Sequence, residues 1–570
     1  MLGRLRSLVV LALLSMLAAV ASGEATAATI TWTGTAGDGL WHTAGNWDLA
    51  RLPAPGDDVV IPNLPGTASV THGANVEDVV NSLTCAEPFV MPTGKLTLSA
   101  ASSFSNGLVL SNATIGGTGD VTISGPGFDW RSGGTFAGTG TLTISPGVTW
   151  TSTGIGQSSL PILQRPLDNF GTLLLVNDSG MLLAAPFRNR AGGVVQWMND
   201  GLIDCTGGFE NQAGATFTRT AGAGTARLQS GSFTNAGSVS VQSGTLEFSF
   251  ITTAQTGSVT VAPAAELNFG GTNATFASGS SLAASGPVNI PSFSNVTFDP
   301  AMASLALSSV FMQNGQITIG PDVSVGSLQL QNGTVNGAGD VTVTNAMTWN
   351  NVLFGGSGEL TIGSLVTWTH SGTAQLDRTL HQFGTGILVG QFLVNASGVF
   401  RNRAGGSIDL RTDGHVEGSG TFLNEAGATV RRTTSADIAL WRVNTTNDGL
   451  FTVQTGGLQP GFSTFTHRGT LTNSPGTLLQ VAGTFNAEAG SVTTLGGAFD
   501  LVGGAAIFAP NVGALTFGGD VSLSLGTLSI GPNVSIPSLT MLRAPVLTGV
   551  GVVTITQSLA WSSGRYSGSG

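Results

Sequence analysis

Residues that could do chemistry are few in this sequence, and most of them are scattered. Only 9% of the 570 residues are charged, and the only adjacent aspartates are Asp57 and Asp58. A glycoside-cleaving site would need paired carboxylates. The six histidines lack metal-ligand spacing, and no serine lies in a G-x-S-x-G elbow. The sequence therefore predicts no catalytic residue, no metal site and no cofactor, and we expect a protein that is not an enzyme.

Two groups of residues could instead contact a glycan, namely a tryptophan cluster and two arginine pairs. They are Trp32, Trp41, Trp47, Arg188, Arg190, Arg401 and Arg403. The tryptophans fall within sixteen residues and could stack on sugars, or they could form a cap over the first coil. The arginine pairs occur at the same place in two long repeats. They could bind an acidic glycan, or they could be solvated charges at turns, and recurrence with the repeat favours the structural interpretation.

The long repeat is visible directly in the sequence. Related segments occupy residues 108–123, 328–343 and 539–555, and each precedes a tryptophan: Trp130, Trp349 and Trp561. The repeat is thus about 215 residues long and occurs twice, and a third copy begins near residue 539. We expect the chain to be a fragment of a longer protein, because the third copy stops in mid-repeat. The loops at residues 116–120 and 337–340 contain glycine and aspartate, but they lack the tandem calcium-binding nonapeptide, so we interpret them as turns.

A shorter period runs inside the long one. The phrase F-x-N-x-A-G, or close to it, begins at Phe187, Phe209, Phe233, Phe400 and Phe422. Steps of 22 to 24 residues match one coil of a three-stranded β-helix, in which the Phe points into the core. The Asn could stack on Asn of neighbouring coils or adopt a left-handed turn. The sequence predicts an all-β, right-handed parallel β-helix with coils of about 22 residues; a β-propeller and a string of β-sandwiches are the rival folds.

The chain divides into three predicted parts. Residues 1–27 have the basic, apolar and small-residue regions of a signal peptide, which indicates export. Residues 28–65 form a Trp-rich capping block, and residues 66–570 form the β-helix repeat region. No later segment is apolar enough to span a bilayer, so we expect no transmembrane segment in the mature chain. A net charge of −11 argues against nucleic acid as a partner.

The block at residues 30–62, ITWTGTAGDGLWHTAGNWDLARLPAPGDDVVIP, resembles the start of secreted bacterial β-helix proteins of the autotransporter-passenger or filamentous-haemagglutinin-like kind. The F-x-N-x-A-G phrases are similar to the coil repeats of those proteins. The resemblance implies a β-helix on the cell surface or outer membrane, or secreted from the cell, but it implies no ligand. The expected function is an adhesion-type scaffold whose partners are glycans or the surface of a host or neighbouring cell. A carbohydrate-binding or carbohydrate-cleaving β-helix and a passive spacer are the alternatives.

Overall fold

The computed structural model describes residues 28–66, 68–73, 75–153, 159–177, 180–411 and 414–570. They belong to two compact units, unit 1 (Met1–Ser238) and unit 2 (Val239–Gly570). The fold is an all-β parallel solenoid with 57% strand and turns of about 21 residues, here called coils. This confirms the predicted parallel β-helix, with a coil about one residue shorter than the sequence suggested. The only helix in the described ranges is a 3-10 turn, Ala44–Asn46.

The strands form because apolar and polar residues alternate, so that every second side chain enters the core. In the strand Ala265–Gly270, for example, Leu267 and Phe269 are fully buried and the residues between them are half-buried. Asparagines with positive φ bend the chain within two of the long strands. Asn332 in the strand Val323–Asn336 and Asn351 in the strand Val341–Phe354 take φ values of 53° and 52°, a conformation that asparagine tolerates better than most residues.

Unit 1 begins with the strand Thr29–Thr31, which pairs in parallel with Asp58–Ile61. The latter pairs in turn with Ser82–Cys85 of the next coil. The strands that carry the short phrase stack in register farther along the unit; they are Leu167–Asn169, Phe187–Asn189, Phe209–Asn211 and Ser232–Asn235.

Unit 2 contains the longest strands, Ser304–Ile319, Val323–Asn336 and Val341–Phe354, which pair side by side. Its own phrase-bearing strands follow, and each pairs with the next; they are Thr379–Gln382, Val399–Asn402, His415–Asn424, Ile438–Asn447 and Thr464–His467.

Phenylalanine rings stack through the cores of both units. In unit 1 the ring centroids of Phe187 and Phe209 are 4.7 Å apart, and those of Phe209 and Phe233 are 5.4 Å apart. In unit 2 the equivalent pair, Phe400 and Phe422, is separated by 4.9 Å. The prediction that these side chains point inward is confirmed, and burying each contributes about 1.5–3 kcal/mol.

The asparagines of the phrase form buried ladders along the coils. In unit 1 each Nδ2 donates to the Oδ1 of the next coil at 2.8–2.9 Å; the members are Asn169, Asn189, Asn211 and Asn235. Unit 2 repeats this from Asn402 to Asn424 and Asn447, where Nδ2 of Asn447 meets Nδ1 of His467 at 3.0 Å. Of the two roles predicted for the asparagines, the structure shows the stacked one. The amides join consecutive coils because a buried polar group needs a partner.

Candidate functional site

The three clustered tryptophans lie in the interior of unit 1. Trp32 and Trp41 both pack edge-on against Trp47, with centroids 5.0 and 4.9 Å apart. The indole nitrogen of Trp47 donates to the carbonyl of Trp41 at 2.8 Å. None of the three side chains is more than 3% exposed. In this arrangement their ring faces contact protein and are not presented to a sugar.

The adjacent aspartates Asp57 and Asp58 make structural contacts. Both oxygens of Asp57 accept from the guanidinium of Arg51, at 2.6 and 3.0 Å, and this hydrogen bonding lowers the pKa of that carboxyl. Asp58 accepts from Asn81 and Ser82. The pair therefore ties neighbouring segments together.

The arginine pair of unit 1 is engaged in ion pairs between coils. The Nη2 of Arg190 lies 2.9 Å from Oδ1 of Asp168, one coil earlier, and its Nη1 donates to Gln212, one coil later. Arg188 lies between Asp168 and Glu210, at 3.6 and 3.9 Å. The two side chains are each 29% exposed. They are half-buried members of a charge ladder.

The arginine pair of unit 2 lies in a similar ladder made of different residues. Arg403 donates to both oxygens of Glu425, at 2.9 and 3.1 Å, and its Nη2 lies 2.8 Å from Nδ1 of His381. The Nε2 of His381 is 2.9 Å from Glu359. Arg401 lies 3.4 Å from Glu425. Both arginine pairs thus have acidic partners on adjacent coils.

Two arginines that the sequence did not single out are buried over the glycine-aspartate loops. In unit 1, Nη2 of Arg165 donates to the carbonyls of Gly117 and Gly119, at 2.7 and 3.1 Å. In unit 2, Arg378 donates to Gly337 through Nη2 at 2.9 Å and to Gly355 through Nε at 2.7 Å. Burial lowers the pKa of both guanidinium groups.

The aspartates of the same loops accept hydrogen bonds from the backbone of the next coil. Oδ1 of Asp120 accepts the backbone amide of Thr141 at 2.7 Å, and Oδ1 of Asp340 accepts that of Glu359 at 2.7 Å. Gly117 and Gly337 have φ values of 109° and 121°, so a side chain at either position would be strained. The loops therefore act as turns that join coils, as the sequence suggested.

Sequence reasoning missed a cluster in unit 1 formed by His42, His72 and Asp78. The Nε2 atoms of His42 and His72 lie 2.7 and 2.8 Å from the same oxygen, Oδ2 of Asp78. His72 is fully buried, whereas the side chains of His42 and Asp78 are 21% and 16% exposed. Burial raises the pKa of Asp78, but the hydrogen bonds with His72 and His42 outweigh this, so the pKa lies below its ordinary value.

Three separate segments bring the cluster together. His42 follows Trp41, whose amide donates to the carbonyl of Thr71 at 2.9 Å, and His72 follows that threonine directly. Asp78 lies in the next strand, Glu77–Val80. Asp78 lies 36 positions after His42, which is more than one coil and less than two, so the coil period gave no reason to expect that they are in contact.

The four remaining histidines have other partners. His370 contacts the carbonyl of Trp349, and His467 lies between Asn447 and the carbonyl of Val492. His415 accepts a backbone amide, and His381 contacts Glu359 and Arg403. In the part of the chain that the structure describes, His42, His72 and Asp78 form the one group of three with metal-ligating character.

The two cysteines are free and buried. Burial raises the pKa of the Cys85 thiol to about 12, and it raises that of Cys205 well above its ordinary value. Both therefore remain protonated and unreactive near neutral pH, because the thiolate is the nucleophile.

A scan against protein-family models finds no match for this chain, and a search of curated proteins finds none either. Among the described residues, no helix has the length and apolar character that crossing a bilayer requires. The predicted signal peptide, residues 1–27, lies outside the described residues.

Proposed function

We propose that this chain is an exported, non-catalytic scaffold of the cell surface or the extracellular space, similar to an adhesin. The observation that carries the proposal is that the recurring arginines form ion pairs between coils. Arg188 and Arg190 in unit 1, and Arg401 and Arg403 in unit 2, have acidic partners on neighbouring coils. Side chains that could have recognised an acidic ligand thus stabilise the stacking of coils.

The buried polar residues support the same proposal. The asparagine ladders, Arg165 and Arg378 all bond one coil to another within their own unit. Each contributes about 0.5–3 kcal/mol to coil stacking, depending on its charge and partners. Export is supported by the pattern of residues 1–27, and surface placement by the resemblance of residues 30–62 to autotransporter-like proteins.

Localisation and attachment test this proposal. Antibodies raised against residues 28–570 should label intact, unpermeabilised cells of the source bacterium. A strain lacking the gene should attach more weakly to host cells or to neighbouring cells than the wild type, and the intact gene should restore attachment. Labelling that requires permeabilised cells would exclude a surface role.

A specific observation in unit 2 favours carbohydrate binding as the second candidate. Phe250 and Phe293 are 76% and 84% exposed, and both have positive φ, 49° and 64°. A bulky residue rarely adopts that conformation, and such strain is often found at functional sites. On the coil between them, Gly271, two residues before Asn273, occupies the equivalent position. A Cβ added at Gly271 would lie 2.6 Å from the ring of Phe250, so this ring lies over the glycine. The two rings thus lie at one corner, two coils or about 10 Å apart.

A glycan array with purified chain tests this candidate. Binding that is reduced in a Phe250→Ala, Phe293→Ala variant but retained in the control Leu365→Ala would establish the phenylalanines as a sugar-stacking site. Leu365 is a suitable control because it is 92% exposed in the same unit. Release of reducing ends from a bound polysaccharide would favour the carbohydrate-cleaving alternative over a non-catalytic scaffold.

A further inference from the structure

The cluster of His42, His72 and Asp78 differs from every other ion pair that the structure describes. Two imidazole nitrogens approach one carboxylate oxygen, at 2.7 and 2.8 Å, and among the described residues Asp78 forms ion pairs with these histidines only. A carboxylate pairs more strongly with the permanent charge of arginine than with imidazole, and the buried aspartates Asp57 and Asp409 do pair with arginine.

We propose that His42, His72 and Asp78 form a binding site for a divalent transition-metal ion of the zinc class. Neutral imidazole and carboxylate are ligands that Zn²⁺ accepts, and two histidines with one carboxylate form a known three-ligand set. Calcium and magnesium prefer oxygen ligands, so two imidazoles disfavour them. The ligand atoms all lie within 4.8 Å of one another.

Side-chain rotation would bring the three ligand atoms to the spacing that the ion needs. Tetrahedral zinc with bonds of about 2.0–2.1 Å places its ligand atoms about 3.3 Å apart. The two nitrogen–oxygen distances must therefore lengthen by about 0.5 Å, and the two nitrogens, which lie within 4.8 Å of each other, must reach the same separation. The partly exposed His42 and Asp78 side chains are the ones that can rotate. The same exposure leaves room for water as a fourth ligand, so the site would be open on its solvent side.

The position of the ligands gives the ion a structural consequence. His42 comes from the Trp-rich segment, whereas His72 and Asp78 come from the coil that follows it. A bound ion would hold the two together beside the backbone bond from the amide of Trp41 to the carbonyl of Thr71. Because the ion binds only when these segments are folded together, it stabilises them by mass action.

Calorimetric titration of the full chain with zinc chloride tests the site. We expect about one zinc per chain, and binding more than about tenfold weaker in His42→Gln and in Asp78→Asn. His42 is partly exposed, so its variant should fold, which circular dichroism can verify. His381→Gln is the matched control, because His381 also pairs with a carboxylate but has no second histidine beside it.

Two further readouts distinguish an ion from a hydrogen-bonded cluster. Cobalt(II) in place of zinc should give visible absorption that His42→Gln abolishes, and zinc should slow amide exchange at Trp41 in the wild type alone. The proposal would be overturned if the wild-type chain bound no zinc, or if the His42→Gln variant bound zinc as tightly as the wild type. The three residues would then form only a hydrogen-bonded contact between the two segments.

Discussion

The ladder of hydrogen-bonded side-chain amides in unit 1 is continuous from its first residue, Asn169, here called the first rung. The ladder of unit 2 is interrupted at the equivalent position. In unit 1 the indole of Trp150 donates to Oδ1 of Asn169 at 3.0 Å, and Asn169 donates onward to Asn189. In unit 2, Gln382 occupies the position of Asn169, 213 residues later. Its Nε2 donates to the carbonyls of Gly384 and Ser407 and not to the next rung.

One extra methylene group thus leaves three buried polar atoms of unit 2 without a partner among the described residues. They are Nε1 of Trp368, Oε1 of Gln382 and Oδ1 of Asn402. The neighbouring position differs as well: Trp150 lies beside Leu173, whereas Trp368 lies against Gly386, where a Cβ would meet its ring at 2.6 Å. The comparison shows that the coil tolerates local repacking while its Phe stack and its later rungs are kept.

The largest expected effect concerns the buried arginines. Arg378→Met should lower the free energy of unfolding by about 2–4 kcal/mol, because it removes the guanidinium donor to the carbonyl of Gly355 and one of the donors to the carbonyl of Gly337, which also accepts the amide of Ser357. Arg165→Met should lower it by only about 1 kcal/mol, since Nε and Nη1 of Arg165 already lack partners in the described structure and methionine removes their desolvation.

Hydrogen exchange read by mass spectrometry checks this, because it reports each loop separately. Protection should fall more around Gly337 in the first variant than around Gly117 in the second. Equal losses would show that the extra bonds of Arg378 contribute nothing.

An intermediate effect on the free energy of unfolding is expected when the first amide residue of each ladder is replaced by that of the other. Asn169→Gln should destabilise unit 1 by about 1–3 kcal/mol, because it separates Trp150 from its acceptor and interrupts the ladder. Gln382→Asn should stabilise unit 2 by about 1 kcal/mol, since a shorter amide can donate to Oδ1 of Asn402. Urea unfolding followed by tryptophan fluorescence measures both. Shifts of the same sign would contradict the account of the interrupted rung.

The smallest of these effects depends on pH and belongs to unit 2. Burial lowers the pKa of His370 and of His467 below the ordinary value of 6.5. Well above pH 6.5 the rings are neutral in both states. Below it the unfolded chain takes up protons that the folded rings do not, so the free energy of unfolding falls until the pH reaches the folded pKa.

Urea unfolding between pH 7.5 and pH 5.5 measures this loss. A His370→Gln, His467→Asn variant should lose less stability over that interval than the wild type, and asparagine at position 467 can continue the ladder from Asn447. Identical losses in the two proteins would place the titrating groups elsewhere.

The sequence predicted the features that repeat and missed those that depend on one contact. The steps between Phe187, Phe209 and Phe233 indicated the coil, and the structure confirms the parallel β-solenoid. Arg165 and Arg378 gave no signal, because arginine is normally exposed and only the fold shows that glycine carbonyls of the preceding one or two coils lie beside them. The contact of His42 with Asp78 also depends on how an irregular segment packs against the next coil, and this packing cannot be predicted from the repeat period.

The tryptophans show a different limit of sequence reasoning. Three clustered aromatic residues fit both a sugar platform and a packed interior, and composition cannot separate the two. The edge-on packing of Trp32 and Trp41 on Trp47 is what buries their faces. The arginine pairs were ambiguous for the same reason, since their acidic partners are about 20 residues away along the chain.

The most direct test of the scaffold proposal is one variant with two readouts, namely Arg188→Gln, Arg190→Gln, Arg401→Gln and Arg403→Gln combined. We predict that amide exchange in the strands Phe187–Asn189 and Val399–Asn402 becomes about two- to fivefold faster, while the glycan-array signal and the attachment of chain-coated beads to cells stay unchanged. Unchanged exchange together with lost glycan binding or attachment would contradict the account, because the arginines would then recognise a ligand and not stabilise the coils.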